Sequence, residues 1–253
     1  MTTVPNWKVC LEIGLNHLGS YSKVEEIVTE IGLQKLGVAI TVQIREESFY
    51  DSKKEFKLTN NEYRKFLSLC KKFMIPCGFA LGPILDLDKM KSEGLNPDFI
   101  KTLSTSTADQ RFMTRLMKTF KCPKYISVGL STLEYIEKII IPIMNSNDKI
   151  IHTSLSHSGK DQNLSDIVKL NNLGVSTGYG LHSTEHNIIS TAIGAGAKYI
   201  FFYIGNKSTD LPDFVHAIDL PDIGSIISTI NVCFDAMGQS VKGSKSTKID
   251  FIG

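Results

Sequence analysis

The sequence predicts a (β/α)8 barrel, also called a TIM barrel, as one α/β domain. Short apolar segments alternate with segments of helical periodicity along the chain, and eight such pairs fit into 253 residues. A chain of this length with 42% hydrophobic residues can bury one large core. An open doubly wound sheet is the competing architecture, but it requires neither eight units nor such even spacing. No G-x-G-x-x-G fingerprint of a dinucleotide-binding fold follows a predicted strand.

The strands are predicted from runs of apolar and β-branched residues that polar or glycine-rich segments separate. They cover residues 8–13, 38–45, 75–81, 98–103, 124–129, 149–153, 174–179 and 198–204. The helices are predicted from apolar residues that repeat with a helical period. They cover residues 22–36, 60–73, 86–94, 108–119, 132–145, 164–172, 185–195 and 221–237.

Local signals support the ends of several helices. Thr59 precedes Glu62 by three residues, which is typical of a capping box, and Ser131 precedes Glu134 in the same way. Glycine follows a predicted helix four times, at positions 37, 94, 174 and 196. Glycine in that position is typical of a helix C-terminus, so these signals agree with the periodicity.

We expect one barrel domain over residues 1–237, followed by a flexible tail over residues 238–253. The tail is rich in glycine, serine and lysine, which is typical of a segment without a packed core. Residues 1–5 lack the charged and apolar regions of a signal peptide. No apolar run approaches the roughly 18 residues of a membrane span, so we expect no membrane partner.

Charge and cysteine content argue against a nucleic-acid-binding protein and against a disulfide-rich protein. The net charge is +2 with both signs interspersed, whereas nucleic-acid binding normally requires a clustered basic face. The five cysteines have no metal-type spacing, and their odd number argues against a disulfide framework. These features favour a reducing, cytoplasmic compartment.

The strongest functional signal follows the first predicted strand. Glu12, Asn16 and His17 bring a carboxylate, an amide and an imidazole to the loop before the first helix. Reactive groups of barrel enzymes lie at these carboxyl ends of strands. The alternative is an ordinary strand-to-helix loop in which Asn16 shapes a turn and His17 packs.

Other predicted strands place polar residues at the same end of the barrel. Thr41, Gln43 and Arg45 share one face of strand two by two-residue alternation, and Lys101 ends strand four. Later units add Ser127, Ser131, His152, Ser154, Ser156, His157, Tyr179, His182, Tyr203, Asn206 and Lys207. A lysine at a strand end is also common as a salt-bridge partner, and His152 would also fit as a core residue. A cationic, histidine-bearing mouth suits an anionic substrate such as a carboxylate or phosphate.

Four segments carry motifs that are found together in one family. Residues 12–19 read E-I-G-L-N-H-L-G, residues 127–136 read S-V-G-L-S-T-L-E-Y-I, residues 151–154 read I-H-T-S and residues 178–183 read G-Y-G-L-H-S. They resemble E-I-G-x-N-H-x-G, S-T-G-M-A-T-L-E-E-I, L-H-C-T-S and G-Y-S-D-H-T of the sialic acid synthase family. The resemblance extends over residues 8–237. Family members condense phosphoenolpyruvate with an amino sugar to make nonulosonic acids.

The resemblance implies roles for individual residues. It implies catalytic roles for Glu12, which would orient the sugar or transfer a proton, and for Lys101 and His182. The predicted substrate-binding residues are Asn16, His17, Gln43, Arg45, Ser127, Ser154, Tyr179 and His216. The family's histidine in the segment of residues 178–183 is a metal ligand, so His182 would hold a divalent ion, Mn²⁺ or Mg²⁺. That ion polarises the sugar aldehyde in the family's reaction.

Several positions depart from the family's pattern. Thr41 stands where the family has a lysine that helps to bind phosphoenolpyruvate, and Tyr203 stands at the second metal histidine. Leu181 and Val215 replace two aspartates, which weakens the attraction for a cation. Loss of a charge-assisted phosphate contact costs about 1.5–3 kcal/mol. We hypothesise that Arg45, on the same face as Thr41, partly replaces the lost lysine.

The sequence leaves three functions open. We favour a divergent phosphoenolpyruvate-dependent synthase that acts on small anionic and sugar substrates. The alternative is a family-derived barrel with lost or altered catalysis that binds a sugar, an anion or a partner protein. A third reading is a metal-free aldolase with Lys101 as a Schiff-base amine. The resemblance also leaves a homodimer open, and we expect no antifreeze-like domain after the barrel.

Overall fold

The computed structural model of the chain describes residues 7–84, 86–207 and 210–238. Eight parallel strands pair in sequence order, and the first also pairs with the eighth, so the sheet closes into a barrel. They are β1 (Val9–Gly14), β2 (Ala39–Ile44), β3 (Cys77–Leu81), β4 (Phe99–Thr102), β5 (Lys124–Ser127), β6 (Lys149–Thr153), β7 (Thr177–Leu181) and β8 (Ile200–Gly205). A short strand, β9 (Ile218–Asp219), pairs in parallel with the last two residues of β8.

Helices occupy the connections between the strands. They are α1 (Tyr21–Gln34), α2 (Glu47–Ser52), α3 (Asn60–Lys72), α4 (Leu87–Ser92), α5 (Gln110–Thr119), α6 (Leu133–Tyr135), α7 (Ser165–Asn172), α8 (Ile188–Gly194) and α9 (Ile223–Met237). This order of strands and helices confirms the predicted (β/α)8 barrel. All eight predicted strands form, with ends that differ by at most three residues from the prediction.

Alternation along each strand separates two cores. On β2, Ile40 and Val42 face the helices and join one large cluster of buried apolar side chains. Ala39 and Thr41, which alternate with them along the strand, are fully buried inside the barrel. Successive side chains of a strand point to opposite faces, so every strand contributes to both regions. The inside of the barrel is therefore where polar side chains of different strands meet.

An aromatic plug closes the inside of the barrel at the amino-terminal ends of the strands. It consists of Trp7, Phe99, Tyr125 and Phe201, which pack in one buried cluster. The ring centroid of Trp7 lies 4.9 Å from Phe99 and 5.0 Å from Tyr125. Gly78 leaves room for these rings, since a Cβ atom there would lie 2.5 Å from the Phe99 ring. The plug confines the polar interior to the opposite end of the barrel.

The predicted helix ends are mostly confirmed. Thr59 caps α3 in a capping box, because its side chain accepts from the N–H of Glu62 and the Glu62 carboxylate accepts from the N–H of Thr59. All four glycines predicted to follow helices have positive φ angles, between 68° and 101°. The second predicted capping box is wrong by one residue: Thr132, not Ser131, is the N-cap, and its hydroxyl accepts from the N–H of Tyr135.

The helix predicted over residues 132–145 is not continuous. Beyond α6 the chain forms a π-helix over Ile136–Ile140 and a 3₁₀ helix over Ile141–Ile143. Pro142 explains the change, because it cannot donate a backbone hydrogen bond and its ring crowds the preceding turn. The helix α2 is absent from the prediction, since six residues are too few to reveal a helical period.

No helix in the described part of the chain is long and apolar enough to cross a membrane. All five cysteines are free thiols. The predicted tail, apart from Gly238, and residues 1–6 lie outside the described residues.

Candidate functional site

A buried ion pair lies at the centre of the candidate site. The Lys101 ammonium on β4 lies 2.6 and 2.7 Å from the two carboxylate oxygens of Glu12 on β1. Only 3% of Lys101 and 2% of Glu12 is exposed, so the pair is shielded from solvent. Both residues face inward because their sequence neighbours Leu11 and Ile100 face the helices. The structure therefore brings together two of the three residues predicted to be catalytic.

Three histidines from separate loops form a second feature, the histidine stack (His157, His216 and His182). The His216 ring lies in the middle, with centroids 5.0 Å from His157 and 4.7 Å from His182. The Tyr203 ring on β8 lies edge-on to both His182 and His216. Nδ1 of His157 lies 2.8 Å from the carbonyl oxygen of His182, which joins the loops after β6 and β7.

Burial keeps the His182 and His216 rings uncharged at neutral pH. It lowers the pKa of His182 to about 3, and the neighbouring His216 and Lys101 act in the same direction. It also lowers the pKa of His216 to about 4, assisted by His157 and Lys207. A neutral imidazole has one N–H donor and one acceptor nitrogen, so each ring can exchange hydrogen bonds with a ligand.

Asp213 supplies a carboxyl group that the sequence analysis missed. Its Oδ1 lies 3.9 Å from Nε2 of His216. Burial, followed by the charge of Glu12, raises the pKa of Asp213 to about 7. Val215, which replaces an aspartate of the family, is exposed, but a carboxyl group enters the cluster two residues earlier, at Asp213. The Pro212-Asp213 pair is the signal that could have revealed it, since the family's stretch reads P-D-H.

Asn16 and Gly14 hold the loop after β1 against the segment after β8. The Asn16 amide donates to the carbonyl of Ile204 at 2.9 Å and accepts from the N–H of Asp213 at 3.1 Å. Gly14 has a φ of 58°, and a Cβ atom there would lie 2.5 Å from the Tyr203 ring and 2.9 Å from the Asp213 carboxylate. Asn16 therefore positions the site through backbone contacts, and only glycine fits at position 14 without a clash.

Strand β2 and the residue after it carry three of the polar side chains considered for anion binding: Thr41, Gln43 and Arg45. Gln43 and Thr41 are buried and face the interior, as two-residue alternation predicts. Arg45 lies beyond the end of β2, half-buried, with its guanidinium 2.9 Å from the Glu46 carboxylate and 4.2 Å from the centroid of the Phe49 ring. The Arg45 hydrogen bond also lowers the pKa of Glu46.

Two predicted residues lie among hydroxyl and loop contacts. The Ser127 hydroxyl is buried, 2.8 Å from that of Ser104 and 3.2 Å from that of Thr153. Ser154 is half-buried, and its hydroxyl accepts from the N–H of Ser156. Ser104 and Thr153 are further polar residues that were not predicted. Ser104 lies in the connection after β4, outside the quoted motifs, and Thr153 lies in the I-H-T-S segment at the end of β6.

Two other predicted residues do not join the cluster. Tyr179 packs among the apolar side chains between barrel and helices, and its hydroxyl donates to the Gln162 side chain at 2.7 Å. His17 is fully buried, its Nδ1 accepts from the N–H of Gly19, and burial lowers its pKa to about 4. These positions do not support the predicted substrate contacts of Tyr179 and His17. The position of His17 agrees with the alternative prediction, in which its side chain packs in the protein interior.

The side chains around His182 do not fit the divalent metal site that the family resemblance implies. Burial, together with Glu12 and Asp213, raises the pKa of Tyr203 well above its ordinary value, so its hydroxyl stays protonated. Among residues 7–84, 86–207 and 210–238, no group of three or more His, Cys, Asp or Glu side chains could hold a metal ion.

Solved structures of related fold match nearly the whole barrel. An N-acetylneuraminic acid (sialic acid) synthetase from Leptospira borgpetersenii serovar Hardjo-bovis has a TM-score of 0.83 at 18% identity, over 95% of this chain and 88% of that one. A spore coat polysaccharide biosynthesis protein from Bacillus subtilis has a TM-score of 0.79 at 15% identity, over 91% and 69%. A truncated 3-deoxy-D-arabino-heptulosonate 7-phosphate synthase from Thermotoga maritima has a TM-score of 0.70 at 14% identity, over 93% and 89%. At these identities the likeness shows a shared fold.

Sequence comparison gives the family itself. A search of curated proteins finds no match. A protein-family model described as the NeuB family matches residues 22–242, which include every helix apart from the first residue of α1 and every strand except β1. The match confirms the predicted resemblance to sialic acid synthases, and this chain belongs to the NeuB family.

Proposed function

We propose that this chain condenses phosphoenolpyruvate with an amino sugar to make a sialic-acid-like nonulosonic acid. The observation that carries the proposal is the buried pair of Glu12 and Lys101 at the mouth of a NeuB-family barrel. Synthases of sialic acid and of heptulosonate phosphate share the fold, which supports a sugar-acid synthase. Glu12 lies in the E-I-G-L-N-H-L-G segment, and the family resemblance implies catalytic roles for both Glu12 and Lys101.

Lys101 is the group best suited to bind the anionic substrate. Phosphoenolpyruvate carries a phosphate and a carboxylate, and a buried ammonium makes stronger contacts with such anions than an exposed one. When the anion competes for Lys101, the carboxylate of Glu12 becomes available to orient a sugar hydroxyl or accept a proton. Gln43, which faces the same interior, would donate a further hydrogen bond to the anion.

Arg45 would replace the family lysine that is absent at Thr41. It follows Thr41 and Gln43 in two-residue alternation, and its half-buried guanidinium lies beside Glu46 just beyond the end of β2. Arg45→Ala should raise the KM for phosphoenolpyruvate about ten- to a hundredfold, because a charge-assisted contact contributes about 1.5–3 kcal/mol. Lys138→Ala, which removes an exposed paired cation on another face, is the matched control. An unchanged KM in Arg45→Ala would refute this role.

The direct test is release of phosphate from phosphoenolpyruvate in the presence of N-acetylmannosamine and related amino sugars. Mass spectrometry of the product should find the sum of the sugar and pyruvate. Glu12→Gln and Lys101→Met should each abolish release, whereas Lys138→Ala should not. Absence of release with every sugar tested, with and without Mn²⁺, would refute the proposal.

One observation favours a second function, a barrel that binds an anion or sugar without turnover. The charge of Lys101 is already balanced by both Glu12 oxygens, so a stable protein does not require a substrate there. Phosphoenolpyruvate that raises the melting temperature without releasing phosphate would support this alternative. The ion pair does not favour a Schiff-base aldolase, because the Lys101 amine is paired with the Glu12 carboxylate. Absence of borohydride trapping with a keto acid would exclude that chemistry.

A further inference from the structure

We propose that condensation in this chain proceeds without a bound divalent metal, and that a ring N–H of His216 activates the aldehyde oxygen instead. The inference rests on the proposed function and names the electrophilic group of the same site. Two observations carry it: the mutual orientation of the histidine rings and the unpaired nitrogens of His216.

The orientation of the rings prevents two histidines from sharing one ion. Each imidazole nitrogen binds a metal in the plane of its ring, at about 2.0–2.1 Å for Zn²⁺. The His182 and His216 rings are stacked, with centroids 4.7 Å apart and planes within 24° of parallel. Their nitrogen lone pairs therefore run side by side and do not converge. Tyr203, at the position of the family's second histidine, has its ring plane at 69° to that of His182 and at 84° to that of His216.

His216 is a buried donor without a hydrogen-bond partner among the described residues, since Oδ1 of Asp213, 3.9 Å from its Nε2, lies beyond hydrogen-bond distance. Only 5% of the residue is exposed, and within the described part of the chain neither Nδ1 nor Nε2 has a hydrogen-bond partner. An imidazole, neutral or charged, always carries at least one N–H. Leaving such a donor buried and unpaired costs about 1–3 kcal/mol. The rings of His157 and His182 on either side fix the plane in which this N–H can point.

A donor held in this way suits an oxygen that gains negative charge during the reaction. The C2=C3 π electrons of phosphoenolpyruvate form the bond from C3 to the aldehyde carbon, which leaves an oxocarbenium ion at C2, and the electron pair of the broken C=O π bond moves to the aldehyde oxygen. The His216 N–H hydrogen-bonds this oxygen but keeps its proton. Water then adds to C2 and releases a proton, which neutralises the alkoxide. Finally the bond from C2 to the phosphate oxygen breaks, phosphate takes the proton of the new C2 hydroxyl, and the ketone forms.

Metal binding is tested first, with a readout that does not depend on activity. Metal-stripped protein is titrated with Co²⁺ and followed by visible absorption and calorimetry, beside His182→Ala. We expect the wild type to match His182→Ala, with no stoichiometric site in either. Stoichiometric Co²⁺ binding by the wild type that is lost in His182→Ala would overturn the inference.

The role of His216 is tested by two substitutions of different chemistry. His216→Phe keeps a planar ring in the stack but removes both nitrogens, and should lower kcat about a hundred- to a thousandfold, as does loss of one oxyanion donor. The KM for phosphoenolpyruvate should not change, and His216→Gln, which restores an N–H, should recover part of kcat. Lys138→Ala, which changes an exposed side chain outside the histidine stack, is the control and should keep the wild-type kcat. Calorimetry of each variant verifies folding.

The outcomes separate this inference from the proposed function. Equal phosphate release in EDTA and in Mn²⁺, with the expected loss in His216→Phe, supports both. Release that requires Mn²⁺, or a His216→Phe variant with wild-type kcat, overturns the inference alone. If no phosphate is released under any condition, the proposed function and the role of His216 are both refuted. The Co²⁺ titration then still shows whether the protein binds a metal ion.

Discussion

Lys101→Met should destabilise the barrel more than a comparable change on its surface. Methionine keeps the length and most of the volume of lysine but leaves the Glu12 carboxylate without its partner in the interior. Removing one member of a buried pair costs about 3–5 kcal/mol, because the remaining charge is desolvated and uncompensated. In a chain of this size each kcal/mol lowers Tm by about 2–4 °C, so we expect a decrease of about 6–20 °C.

Two further variants determine whether the charge is the cause. Glu12→Leu combined with Lys101→Met should recover most of the loss, since a buried pair replaced by apolar side chains is often neutral in stability. Lys138→Met breaks the exposed pair with Glu134, at 2.7 Å, and should cost less than about 1 kcal/mol. Urea denaturation followed by far-ultraviolet circular dichroism measures the free energy of unfolding of all four proteins.

The result that would refute this reasoning is a Lys101→Met variant within about 1 kcal/mol of the wild type, since such a value is typical of a solvated pair. A double variant no more stable than the single one would also contradict it. In that case the loss would arise from packing and not from an unpaired carboxylate.

Three other predictions concern the same barrel. Gly14→Ala should cost more than about 1–2 kcal/mol, because alanine is strained at positive φ and its methyl group would meet the Tyr203 ring; urea denaturation measures it. Folding raises the pKa of Asp213 from 3.8 to about 7, so the folded state holds this proton more tightly than the unfolded state. The resulting contribution to the free energy of unfolding, up to about 4 kcal/mol, is present below pH 4 and is lost as pH rises through 7. Asp213→Asn should flatten this part of the pH profile, and an unchanged profile would contradict it. Thr59→Ala should cost about 1 kcal/mol by loss of the capping box with Glu62, and a Tm equal to wild type would exclude that contribution.

Sequence reasoning predicted what depends on local pattern and strand alternation. The eight strands, the inward direction of Glu12 and Lys101 and the capping box at Thr59 each follow from a few neighbouring residues. A barrel then brings inward residues of distant strands together without further information, which is why positions 12 and 101 meet across 89 residues of chain.

The parts that could not be predicted depend on the path of a loop. Asp213 enters the site only because the segment after β8 folds back and its N–H bonds to Asn16. The stacking of His216 between His157 and His182 involves three loops, and no spacing within one loop specifies it. The π-helix at Ile136–Ile140 also follows from competition between Pro142 and an otherwise favourable helical pattern.

The aromatic plug gives the protein an internal optical reporter. Trp7 is the only tryptophan of the chain and is 3% exposed, so its fluorescence arises from one environment. Tyr125 and Tyr199 lie within 6 Å of it and can transfer excitation energy to it. The Lys101 ammonium lies 5.6 Å from the centroid of the Phe201 ring, so the plug is the floor beneath the ion pair, and the Trp7 emission reports the packing of the barrel interior. A substitution at the mouth that leaves this emission unchanged has altered the site and kept the barrel intact.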